Sequence, residues 1–157
     1  MESQDVCYTR EIALEKAIEM EAKSFDVYRN AYLGADERRA KDLLRDLALD
    51  ELKHKYTLEK AFFEETILLH ESGSSSGPTM KLALLLEEKP LGRNPSQQDL
   101  LVHSIHDEKR AVDFYKAMAG QCVGAPMERM FKTLAGDEEG HLARLEELYE
   151  SIYMKDM

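Results

Sequence analysis

LALDELKH at residues 47–54 and LAGDEEGH at residues 134–141 are the two stretches whose comparison decides the fold, because each places Glu-x-x-His after an apolar Leu-Ala pair. The offset between them is 87 residues (His54 to His141), and the same offset pairs Leu14 with Leu101, Ile18 with Ile105, Glu21 with Glu108 and Tyr28 with Tyr115. It continues past the histidines, through Leu58 with Leu145 and Glu59 with Glu146. The chain is therefore an internal duplication. In each half a lone Glu precedes the Glu of Glu-x-x-His by 30 residues (21 to 51, 108 to 138) with a turn near the midpoint. An antiparallel helical hairpin brings such residues level, each roughly 20 Å from the turn at about 1.5 Å rise per residue.

The helical faces follow from spacing. Leu14, Ala17, Phe25 and Tyr28 lie at −7, −4, +4 and +7 from Glu21, so this carboxylate shares the apolar stripe and points inward. Glu51 and His54 sit between Leu47 and Leu58, Glu108 between Ile105 and Tyr115, and Glu138 and His141 between Leu134 and Leu145. Four carboxylates in one apolar core repel each other and lose hydration, which demands protonation or strong positive charge. Two divalent cations balance four Glu. Glu-x-x-His puts both side chains on one helical face, and one Glu from each of two helices plus Glu-x-x-His from each of the other two is the donor pattern of di-metal carboxylate bundles. The candidate ligands are Glu21, Glu51, His54, Glu108, Glu138 and His141. Oxygen and imidazole donors suit iron or manganese, singly or mixed.

The rest of the sequence agrees with an all-α, four-helix architecture in one domain spanning 1–157. Hydrophobic residues make up 43% and charged residues 33%, with only four prolines, a composition that favours helix. The first hairpin is expected over about 9–69, with Gly34 and Ala35-Asp36 at its turn. A crossover is expected over about 70–96, where HESGSSSGPT reads as loop and MKLALLLEEK as a short helix. The second hairpin covers about 97–153, starting near Pro95-Ser96 and turning at Gly124, Ala125 and Pro126. The net charge of −10 excludes nucleic acid as the main partner, since phosphate binding needs clustered Lys and Arg. No apolar run is long enough to span a bilayer, and the N-terminal residues lack the character of a secretory signal. A cytoplasmic protein is expected, with Cys7 and Cys122 as reduced thiols.

At EAKSFDVY, DELKH, EKRAVDFY and DEEGH the chain resembles the rubrerythrin-like branch of the ferritin-like superfamily, over nearly its whole length. The resemblance implies a ferritin-like bundle with a long crossover between the second and third main helices, and a homodimer. It also implies a centre of two iron ions in which Glu51 and Glu138 bridge, while Glu21, Glu108, His54 and His141 are terminal. Full rubrerythrins carry a rubredoxin domain with four iron-binding cysteines. This sequence has two cysteines in all, so an external electron donor, such as a rubredoxin-type protein, is expected. Rubrerythrins proper also have a further Glu where Ala111 stands.

The implied activity is that of a di-iron oxidoreductase reducing hydrogen peroxide or O₂. The alternatives are a ferroxidase, which the symmetric four-Glu, two-His set resembles as closely, and a non-catalytic module stapled by its metals. Around the ligands, Asp50 and Asp137 lie one turn before His54 and His141 and are candidates to fix the imidazoles. Tyr28 and Tyr115 are candidate partners of the ligand carboxylates. His70, His103 and His106 are read as ordinary.

Overall fold

A computed structural model describes residues 10–64 and 82–154. The elements are α1 (Arg10–Gly34), α2 (Arg38–Glu64), the short α3 (Leu82–Leu85), α4 (Gln97–Gln121) and α5 (Pro126–Tyr149), which passes into a π-helical turn at Glu150–Met154. The expected all-α, ferritin-like bundle is present. HESGSSSGPT and His70 fall outside the described residues, whereas α3 supplies the short helix expected in the crossover.

The helix ends follow local chemistry. Glu37 accepts from the Ala40 N–H at 2.9 Å, and this bond to the start of α2 draws its pKa below the usual carboxylate range. Ser96 begins α4 with a reciprocal capping box: its Oγ accepts from the Asp99 N–H at 3.0 Å, and Asp99 Oδ2 accepts from the Ser96 N–H at 3.2 Å. Ser96→Ala is expected to cost about 1 kcal/mol, read as a lower denaturation midpoint at unchanged slope. Between α4 and α5, Gly124 sits at φ 83° and its N–H donates to Glu128 Oε2 at 2.9 Å, while Pro126 opens α5.

α1 packs along α2 and α4 along α5; the two hairpins then meet through α1 on α4 and α2 on α5. Their turns lie at opposite ends. One apolar layer, near the α1–α2 turn, contains Tyr28, Leu44, Leu47, Leu101, Ile105 and Leu145. The other, near the α4–α5 turn, contains Leu14, Leu58, Tyr115, Met130, Phe131 and Leu134. Glu21, Glu51, His54, Glu108, Glu138 and His141 lie between these layers in sequence on every helix, and all are at most 3% exposed. The layers shut water out of the middle of the bundle from both ends.

No helix among the described residues is long and apolar enough to cross a membrane. One expectation is corrected: Cys122, buried in the layer near the α4–α5 turn, is disulfide-bonded and is not a free thiol. Cys7 lies outside the described residues. Disulfides persist mainly in oxidising compartments.

Candidate metal centre

The six sequence-selected side chains come together as two overlapping groups. Glu21, Glu51, His54 and Glu138 form one, Glu51, Glu108, Glu138 and His141 the other, and within each group one ligand atom per residue lies within 4.8 Å of the rest. Glu51 and Glu138 belong to both. Each group could hold a metal ion.

Hydrogen bonds orient these side chains from the opposite hairpin. Tyr28 on α1 donates to Glu108 Oε1 on α4 at 2.5 Å, and Tyr115 on α4 donates to Glu21 Oε1 on α1 at 2.6 Å. His54 Nε2 on α2 is 3.0 Å from Asp137 Oδ2 on α5, and His141 Nε2 on α5 is 3.1 Å from Asp50 Oδ2 on α2. The two aspartates therefore do not serve the histidine one turn further along their own helix, as same-helix spacing had implied. Each reaches across to the other. An ionised carboxylate only accepts, so Nε2 carries a hydrogen and Nδ1 faces the ligand carboxylates, the nitrogen that would bind a metal on giving up its proton. Hydrogen bonding to His141 holds the Asp50 pKa below the ordinary range, which keeps it an acceptor.

The electrostatics are those of a site lacking positive charge. Burial, then the charges of Glu138 and Glu21, push the Glu51 pKa well up; burial and Glu138 do the same to Glu108. Burial also opposes ionisation of Glu138, but hydrogen bonding with Glu108 and the nearby His141 outweigh it and pull its pKa well down. Burial disfavours charged His54 and His141, yet the facing carboxylates of Glu21 for the first, and of Glu108 and Glu138 for the second, raise both pKa values well above the ordinary imidazole range. Protons thus stand where cations would. Burial, followed by the charge of Glu108 or Glu21 respectively, keeps the Tyr28 and Tyr115 hydroxyls protonated and donating.

The donors fit a metal pair on one further observation. Glu21 Oε2, Glu51 Oε1, Glu108 Oε2, Glu138 Oε1 and His141 Nδ1 are buried and make no hydrogen bond. His141 Nδ1 approaches Glu51 Oε1 to 2.9 Å without hydrogen-bond alignment. Buried polar atoms without partners are costly, and five converging on one place match the donor atoms that hard or borderline divalent ions take.

Of the histidines outside the centre, His103 pairs with Asp107 at 2.8 Å, and His106 Nε2 lies 2.9 Å from the Leu86 carbonyl, joining α4 to the crossover. Sequence reasoning gave no role to Glu146. It is 1% exposed and accepts from the Leu82 N–H at 2.8 Å, anchoring α3 against α5. Its repeat mate Glu59 is only half-buried and faces Lys55 at 3.8 Å.

The rubrerythrin family model matches residues 99–156, which take in nearly all of α4, all of α5 and the turn that follows. No curated protein and no solved structure matches the chain. The matched segment carries Glu108, Glu138 and His141, and the internal repeat supplies their counterparts in the first hairpin. The matched segment is thus similar to the rubrerythrin family, and the bundle with its buried Glu and His clusters is consistent with a rubrerythrin-like protein of the ferritin-like fold.

Proposed function

We propose that the chain is a di-iron carboxylate oxidoreductase that reduces hydrogen peroxide, or O₂, with electrons from an external donor such as a rubredoxin-type protein. The observation that carries this reading is the overlap of the two buried groups at Glu51 and Glu138. Two residues common to both groups are what a bridged pair of ions needs. Glu51 and Glu138 would be shared by the two ions, Glu21 and His54 would help hold one, and Glu108 and His141 the other. A reduced iron pair supplies two one-electron reductants side by side.

The chain's own residues do the rest. Tyr28 and Tyr115 hold Glu108 and Glu21 by one oxygen each, leaving the second oxygen buried and without a hydrogen-bond partner. They act as positioning residues. Asp50 and Asp137 fix the imidazoles, and Asp137→Asn is expected to weaken metal binding about 10–100-fold, measured by competition with a metal-sensitive dye. The family resemblance also supports a homodimer, which sedimentation would test.

The reaction is tested by loading the protein anaerobically with Fe²⁺ and following reoxidation with peroxide and O₂ separately. Fast turnover with peroxide and slow reaction with O₂ is the expected result. The symmetric four-Glu, two-His set favours a second reading, a ferroxidase. The opposite preference, with iron uptake well beyond two per chain, would establish that reading instead.

A further inference from the structure

Between α1 and α4 a cavity of about 300 Å³ reaches from the surface to the candidate centre. Glu21 and Glu51 form its buried end, Met20, Ala111 and Phe114 line its body, and the exposed Lys16 and Lys23 stand at its mouth. Ala111 matters because a methyl side chain leaves open the space one turn beyond Glu108.

The mouth is cationic although the chain carries a net charge of −10. Arg110 is committed to Glu88 and Asp107, and Asp107 also pairs with His103. Among the described residues, Lys16 and Lys23 have no carboxylate partner; Lys16 Nζ rests 5.7 Å from the Phe114 ring centroid. Two turns apart on one face of α1, they can converge on the opening between them. At the far end, Glu21 Oε2 and Glu51 Oε1 are buried without hydrogen-bond partners.

Size and polarity select the occupant. A water takes about 30 Å³, so the cavity exceeds what peroxide or O₂ requires and falls at the lower end of ligand pockets. A bare inorganic anion would meet the lysines and leave the apolar wall unfilled. We propose that this cavity binds a small organic acid, its anionic head held by Lys16 and Lys23 and its carbon chain lying against Met20, Ala111 and Phe114 toward Glu21 and Glu51. The inference rests on the metal-centre reading for what the chain of the acid faces, and names a substrate or effector class for that centre.

The test is calorimetric titration of the full-length protein with acetate, butyrate and hexanoate, metal-free and loaded with Mn²⁺. Each methylene buried against the wall is expected to tighten binding about fourfold, so hexanoate, with four more methylenes, should bind on the order of 100-fold or more tighter than acetate. Lys16→Gln/Lys23→Gln, a pair of exposed changes, should weaken hexanoate at least fivefold at equal metal content, and Ala111→Leu should exclude it. Equal affinity for all three acids, or hexanoate binding unaffected by the lysine pair, would overturn the proposal. Metal uptake without hexanoate binding sinks the pocket and leaves the centre standing, whereas hexanoate binding without metal uptake does the reverse.

Discussion

Glu138→Ala is expected to weaken both metal positions together, whereas Glu21→Ala leaves one position intact. Glu138 belongs to both four-residue groups and Glu21 to one only. Removal of Glu138 leaves three donors in each group and withdraws the negative charge shared by the two proposed metal positions. Removal of Glu21 spares Glu51, Glu108, Glu138 and His141. Metal counted per chain after gel filtration should therefore fall from two to near zero in the first variant and to about one in the second. The same contrast appears in thermal stability. A ligand at 100 times its Kd stabilises by about 2.7 kcal/mol per site, and roughly 2–4 °C per kcal/mol applies at this chain length. Two filled sites should raise Tm by about 10–20 °C in the unaltered chain, by about half that in Glu21→Ala and by little in Glu138→Ala. Equal losses in the two variants would refute the shared role of Glu138.

The second large effect is a reversal of pH dependence on metal loading. In the metal-free protein Glu51, Glu108, His54 and His141 all have raised pKa values. A group whose folded pKa exceeds its unfolded value stabilises the fold below the unfolded value, and that contribution disappears as pH rises through the folded one. For the two glutamates the loss begins above the ordinary carboxylate value of 4.5, and for the two histidines above 6.5. Glu138, held low, acts in the opposite sense and loses its contribution only as the solution becomes acid. Four groups against one make the metal-free bundle less stable from mildly acid to neutral and alkaline pH. Metals must displace these protons, so their affinity climbs with pH. Urea midpoints from pH 5 to 8 should fall without metal and hold or rise with Mn²⁺ present. Parallel curves would show that the protons and the metals do not compete for the same groups.

The six clustered residues were legible because polar side chains interrupt an apolar helical stripe at a repeated offset, and burial follows from that stripe. Which helix each orienting group serves was not legible. Spacing fixes the face of Asp50 or Tyr28 but not the height of the neighbouring helix, and it is the crossing of two hairpins that hands Asp50 to His141 and Tyr28 to Glu108. Glu146 escaped notice for a related reason: the repeat equates it with Glu59, but only Glu146 meets the crossover at Leu82. The disulfide at Cys122 has no local signature, since pairing depends on distances in space. The cavity depended on Ala111 being small beside a ring and two unpaired lysines on other turns.

The hydrogen bonds exchanged between hairpins make each hairpin an unfinished object. Tyr28, Tyr115, His54 and His141 each find their partner in the other half, so two identical copies of such a hairpin, arranged about a two-fold axis, would orient one another's site residues. Joining them in one chain removes the requirement for identity. The acid-sized cavity lies where that axis would emerge between α1 and α4, and its walls are repeat mates that have parted: Met20 with Asp107, Lys23 with Arg110, Ser24 with Ala111. A symmetric pair would have to present the same side chain from both walls. The fused chain can instead give one wall free ammonium groups and the other a ring and a methyl, and so admit a ligand end-first in one direction only.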